Sequence, residues 1–196
     1  MLEFYFIEIA NFQSYNDALN LSQEIHNSGG AGYIYFDEKY HVLASYYSRL
    51  ESANSVLKNI QTSYPNSSIL TIVATPFSNS NLSTKEKIAV ESFLTVSEQL
   101  ILELEQFSTE YNKGELSINK FKTQTKNMCD GFLESYNNFI STFKKNSKLN
   151  IAKDYASQML SALINITKLE NQNLSSSLRY ELIGFVINRY HLLSCF

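Results

Sequence analysis

A stretch that occurs twice constrains this chain more than any other feature. Phe4 to Ile25 reads FYFIEIANFQSYNDALNLSQEI, and Lys39 to Ile60 reads KYHVLASYYSRLESANSVLKNI. At an offset of 35 residues, Ile7 matches Val42, Phe12 matches Tyr47, Ala18 matches Ala53, Leu21 matches Val56 and Ile25 matches Ile60. Each copy reads as a strand, a turn holding an aromatic, then a helix. The strand half alternates: Tyr5, Ile7 and Ile9 point one way, Phe6, Glu8 and Ala10 the other. The helix half carries Ala18, Leu21 and Ile25, then Ala53, Val56 and Ile60, at 3–4 spacing. A unit this short cannot bury its apolar side alone, so the two copies are expected to pack together.

Between and around the copies the chain supplies two more strands. Ser28-Gly29-Gly30 stops the first helix, with glycine as the left-handed cap, and Asn16 or Asp17 is expected to cap its start. Gly32 to Asp37 is aromatic and β-branched, and Asp37-Glu38-Lys39 joins it to the next strand as a hairpin. Tyr64-Pro65-Asn66 ends the second helix, and Ser68 to Ala74 reads SILTIVA. The order is βαββαβ. Its expected packing is an α+β arrangement: a four-stranded antiparallel sheet, both helices on one face, and the other face available to a ligand.

Strand patterning stops at residues 76–82, a linker rich in Ser and Asn. Ser83-Thr84-Lys85-Glu86 is a capping box, and helical periodicity follows to the end. One stripe holds Phe93, Leu100, Leu104, Phe107 and Tyr111, closed by Gly114. A second runs from Ile118 through Phe121, Phe132 and Phe139 to Phe143. A third holds Ala152, Tyr155, Ala156, Met159, Leu163 and Ile166. The last holds Leu178, Leu182, Phe185, Val186, Tyr190 and Leu193. Four amphipathic helices predict an all-α bundle over 83–196, beside a β-containing unit over 1–75. A protease is expected to cut the polar linker first and release a folded fragment from the first half.

Charge narrows the partners. Net charge is −3, and residues 1–75 hold only Lys39, Arg49 and Lys58 against seven acidic residues. The RNA-recognition reading of βαββαβ fails on that balance, so no nucleic-acid partner is expected. No segment of 18 apolar residues predicts a membrane span. Met1 runs straight into strand residues with no basic region, so no signal peptide is expected within the chain. Cys129 and Cys195 sit in helical patterns as small hydrophobes and are expected to be unpaired.

No catalytic constellation emerges. His26, His41 and His191 lie in separate elements, and none has a partner at metal-ligand spacing, so no metal or cofactor is expected. Gly29 to Gly32 follows a helix and precedes a strand, the reverse of an anion-binding helix start. Glu98, Glu103 and Glu105 read as a solvated helix face.

The strand Ile7-Glu8-Ile9-Ala10-Asn11-Phe12, and again His41-Val42-Leu43-Ala44-Ser45-Tyr46-Tyr47, resembles the SPOR (sporulation-related repeat) domain. In that family a strand ends in an aromatic and an alanine starts the helix six residues on, as Phe12 to Ala18 and Tyr47 to Ala53 do here. The resemblance covers residues 3–75. It implies a non-enzymatic protein that binds peptidoglycan glycan strands at the septum through the open sheet face, in cell division or sporulation. It also implies an extracytoplasmic setting, which needs an anchor or signal upstream. Septal or sporulation proteins would then be partners of the helical region. The family's glutamine, Gly-Ser, arginine and Gly-Pro fall here on Glu8, Ala10-Asn11, His41 and Ser45-Tyr46. The expected glycan-binding set is Phe6, Glu8, Asn11, Tyr33, Tyr35, Lys39, His41 and Leu43, since rings stack on sugars and polar neighbours orient them. The alternative is a SPOR-derived protein–protein interaction module, in which the same aromatics cover the sheet by packing on the bundle or on a partner.

Overall fold

The computed structural model describes residues 2–75, 77, 82–143, 149–170 and 173–196. The first half is βαββαβ: β1 (Leu2–Phe12), α1 (Tyr15–Asn27), β2 (Tyr33–Asp37), β3 (Lys39–Tyr47), α2 (Leu50–Ile60) and β4 (Ser68–Ala74). The strands form one antiparallel sheet in the order β2-β3-β1-β4. The two repeated strands, β1 and β3, are therefore neighbours at its centre.

Their pairing slips twice. Ile7 lies opposite Ser45, Glu8 opposite Leu43 and Ala10 opposite Val42, which leaves Ala44 and Ile9 as inserted residues. Each bulge puts two successive residues against one partner. Strict alternation expects Ala10 on the side of Phe6 and Glu8. The bulge carries it instead to the side of Val42, and Asn11 then falls beside His41.

One face of the sheet takes both helices. Ile7, Ile9, Val42 and Ala44 pack with Ala18 and Ile25 of α1 and Ala53 of α2. Ala18 and Ala53 are wholly buried, so each helix crosses the sheet on its smallest residue. Ala53→Leu is expected to overpack this crossing and cost about 1–3 kcal/mol. A urea midpoint equal to that of the parent would place Ala53 outside the crossing. α1 begins at Ser14 without a side-chain cap, so neither Asn16 nor Asp17 has the expected role. At its end, Gly32 has φ +63, and a Cβ there would lie 2.2 Å from the Ser22 carbonyl oxygen. Only glycine lets the chain pass so close to α1.

The second half is α3 (Thr84–Asn112), α4 (Ile118–Thr142), α5 (Asn150–Thr167) and α6 (Leu174–Leu193). The capping box forms as expected: the Ser83 hydroxyl accepts from the Glu86 N–H and the Glu86 carboxylate from the Ser83 N–H. α3 packs on α4, α4 on α5, α5 on α6, and α6 returns to α3. Cys129 and Cys195 are free and half-buried. No helix among the described residues is long and apolar enough to cross a membrane. The linker 76–82 lies outside the described residues except for Phe77 and Leu82. Both pack on the core, Phe77 edge-on against Phe196 with ring centroids 5.5 Å apart.

The sheet face opposite α1 and α2 is covered. α6 lies against β3 and β2, and one apolar core runs from Phe4, Phe6, Leu43 and Tyr46 into the bundle. The expectation of an open face is overturned here. The physical reason is α6 itself. Leu182, Ile183, Phe185, Val186 and Ile187 are all buried, so this helix is apolar on more than one side and needs a cover on each.

Candidate functional site

The residues expected on an open face divide under this cover. Phe6 and Leu43 are 0 % exposed, and Glu8, Tyr35 and His41 are buried. Tyr33 is half-buried, while Asn11 and Lys39 remain exposed. Phe6 packs on Tyr46 at 5.4 Å between ring centroids, and Tyr33 packs on Tyr180 of α6 at 5.0 Å. Burial, with Tyr180 and Glu181 nearby, pushes the Tyr33 phenol up to about 12. These rings are core contacts, and no sugar ring reaches Phe6 or Leu43 without removal of α6.

What the register does bring together is a polar cluster around His41. Its Nδ1 lies 2.7 Å from Glu8 Oε1 and its Nε2 lies 2.7 Å from Asp37 Oδ1. A carboxylate only accepts, so both contacts are hydrogen bonds when both ring nitrogens carry a proton. Asn11 Nδ2 donates to Glu8 Oε1 at 2.9 Å, and Ser68 Oγ donates to Oε2 at 3.1 Å. Both oxygens of Glu8 are thus engaged by its own chain. The cluster links β1, β2, β3 and β4 across the full width of the sheet. Sequence reasoning placed Glu8, Asn11 and His41 together. It missed Asp37 and Ser68, whose positions follow from the hairpin and from the pairing of Glu8 with Ser68.

Burial alone raises the Glu8 carboxyl. Hydrogen bonds from Asn11, His41 and Ser68, with the charge of His41, outweigh burial and hold it below its ordinary value of 4.5. A depressed carboxyl stabilises the fold above its unfolded pKa, and that stability is lost as pH falls through the folded one. Glu8→Gln is therefore expected to cost about 1–3 kcal/mol at pH 7. The difference from the parent should shrink as pH drops below about 4.5. Urea midpoints measured from pH 7 to pH 2 check this; a constant difference would mean that the carboxylate charge is not what holds the cluster.

A second polar set joins the sheet half to the bundle. Arg189 of α6 is buried. Its Nε donates to Ser97 Oγ at 3.0 Å, its Nη2 to Glu98 Oε2 at 3.2 Å, and its guanidinium stands 6.0 Å from the Phe4 ring centre. Burial lowers its pKa, and Glu98 acts against that shift. Glu105 of α3 accepts from the Ser48 N–H just ahead of α2, where the helix start favours a negative charge. Glu98 stays exposed on its helix face while it pairs with Arg189, whereas Glu105 is half-buried and reaches across to the start of α2. Ser176 of α6 lies 3.4 Å from His26 Nε2, and Arg179 Nη1 donates to the Gly29 carbonyl at 2.7 Å.

This arrangement binds the chain to itself. His41 is held between two carboxylates. The strongest feature of the region is a sheet face matched to one helix. Comparison with protein-family models, with curated protein sequences and with solved structures finds no match to this chain.

Proposed function

We propose that this protein is a non-enzymatic interaction or scaffolding module, in which a SPOR-like sheet is fastened to its own helical bundle. The observation that supports it is the cover: the sheet face that the SPOR resemblance assigns to glycan is packed under α6, with Phe6 and Leu43 fully buried. A glycan strand would have to displace an entire buried helix to reach them. Glu8 and His41 also hold each other, so their hydrogen-bonding groups are turned inward. The resemblance would make the cell envelope at a division or sporulation septum the setting, provided that a signal or anchor directs the chain there. Partners are then proteins that meet the outer faces of α3, α4 and α5.

Co-sedimentation with purified peptidoglycan sacculi, with and without amidase treatment, tests this reading. The intact chain is expected to stay in the supernatant in both cases. Retention on amidase-treated sacculi, weakened by Lys39→Ala, would restore the glycan-binding reading, with an exposed part of the expected set as the site.

A further inference from the structure

Arg179 of α6 is a half-buried guanidinium without a carboxylate partner among the described residues. Its one hydrogen bond there is to the Gly29 carbonyl. Arginine carries five N–H donors in a planar fork, so most of them have no acceptor among the described residues. Burial lowers its pKa, and the Tyr47 phenol acts against that shift.

The side chain stands where two clefts meet. One, of about 440 Å³, opens between α1 and α2 over the helix side of the sheet. Ile9 and Ala44 floor it, Ile25, Val56 and Ile60 wall it, and Ser63 and Asn59 edge it. No acidic residue lines it. Glu24, beside its rim, is held by the Tyr64 hydroxyl at 2.9 Å. The other cleft, of about 630 Å³, lies towards α3 and is lined by Glu51 and Glu105. An anion drawn to Arg179 meets two carboxylates in the lining on that side and none in the lining of the first.

A cleft of a few hundred Å³, apolar with a few placed polar groups, is the usual shape of a small-molecule site. A guanidinium at its end fits a planar anion in two-point contact. We propose that the cleft between α1 and α2 binds a small carboxylate with an apolar chain or ring, its carboxylate paired with Arg179 and its body on Ile9, Ala44 and Val56. The cleft opens on the side of the sheet away from the face that α6 covers, and Arg179 reaches its end from α6. The site therefore needs α6 docked on the sheet but does not depend on whether the chain's partner is a protein or a glycan.

Octanoate and benzoate are the probes, with 1-octanol as the uncharged control, titrated into the full isotope-labelled chain and followed by amide NMR shifts. Octanoate is expected to give saturable shifts at Ala44, Val56 and Ser63, and to bind at least tenfold more tightly than octanol. Arg179→Gln should weaken octanoate at least tenfold and leave octanol unchanged. Val56→Phe, which fills the cleft and keeps the guanidinium, should remove both. If circular dichroism shows Arg179→Gln unfolded, the octanoate-to-octanol ratio in the parent and the Val56→Phe result decide. Equal affinity for the two probes, shifts centred elsewhere, undiminished binding to Val56→Phe, or no saturable shift with either carboxylate at millimolar concentration each overturns the proposal.

Discussion

Residues 2–75 produced alone are expected to remain without a fixed tertiary structure. The four strands and two helices would all be present, yet Phe4, Phe6, Tyr35, Leu43, Tyr46 and Ile72 would lose the bundle that covers them. Burying a large apolar side chain contributes about 1.5–3 kcal/mol. Six of them together amount to on the order of 10 kcal/mol, as much as the whole stability of an ordinary domain. The fragment should therefore show little near-ultraviolet dichroism from its tyrosines, poor NMR dispersion and no cooperative melt. A dispersed spectrum with a sharp thermal transition would establish that the first half folds by itself, as the polar linker suggests.

His41→Ala is expected to cost about 3–5 kcal/mol at pH 7, because it leaves the buried Glu8 carboxylate without its closest hydrogen-bond partner. The cavity left by the ring adds to that cost. A control separates the two causes. The double variant Glu8→Met with His41→Leu replaces the pair with apolar groups of similar volume and should recover most of the loss, since burying charge is itself costly. A His41→Ala chain with an unchanged urea midpoint would show the cluster to be solvated. The glycan reading expects that second outcome: on an open face, loss of His41 weakens ligand binding and shifts stability by about half a kcal/mol or less.

Much of the architecture is legible in the sequence because it rests on local periodicity. The four strands, the six helices and the capping box at Ser83 all appear close to where the pattern puts them. Ala18 and Ala53 mark the two helix crossings because only a small residue lets a helix approach a sheet so closely. The cover over the sheet had a signal too. The stripe through Leu178, Leu182 and Phe185 is only one side of the last helix's apolar surface. Ile183 and Ile187 continue the apolar surface around its side, and Gly184 lies against the Tyr33 ring. A helix apolar on two sides in a small protein must sit between two layers. The His41 cluster was not legible in the same way. Glu8 and His41 are 33 residues apart, and the two bulges beside them set which side chains share a face. Nor do Arg189, Glu98 and Glu105 announce their roles, since each looks like any other charge on a helix until its neighbour across the seam is known.

The position of α6 also bears on how the chain is made. β4 ends at Ala74, and the helix that closes the sheet is not complete until Leu193, about 120 residues later. At synthesis rates of about 5–20 residues per second, that interval is on the order of ten seconds. Throughout it the strands carrying Phe4, Phe6, Leu43 and Tyr46 have been produced and the surface they need has not. Nascent chains of this protein thus pass through a long stage with a sticky, half-assembled sheet, the state that chaperones retain. Ribosome-bound chains halted before Leu174 are the form in which that stage can be caught.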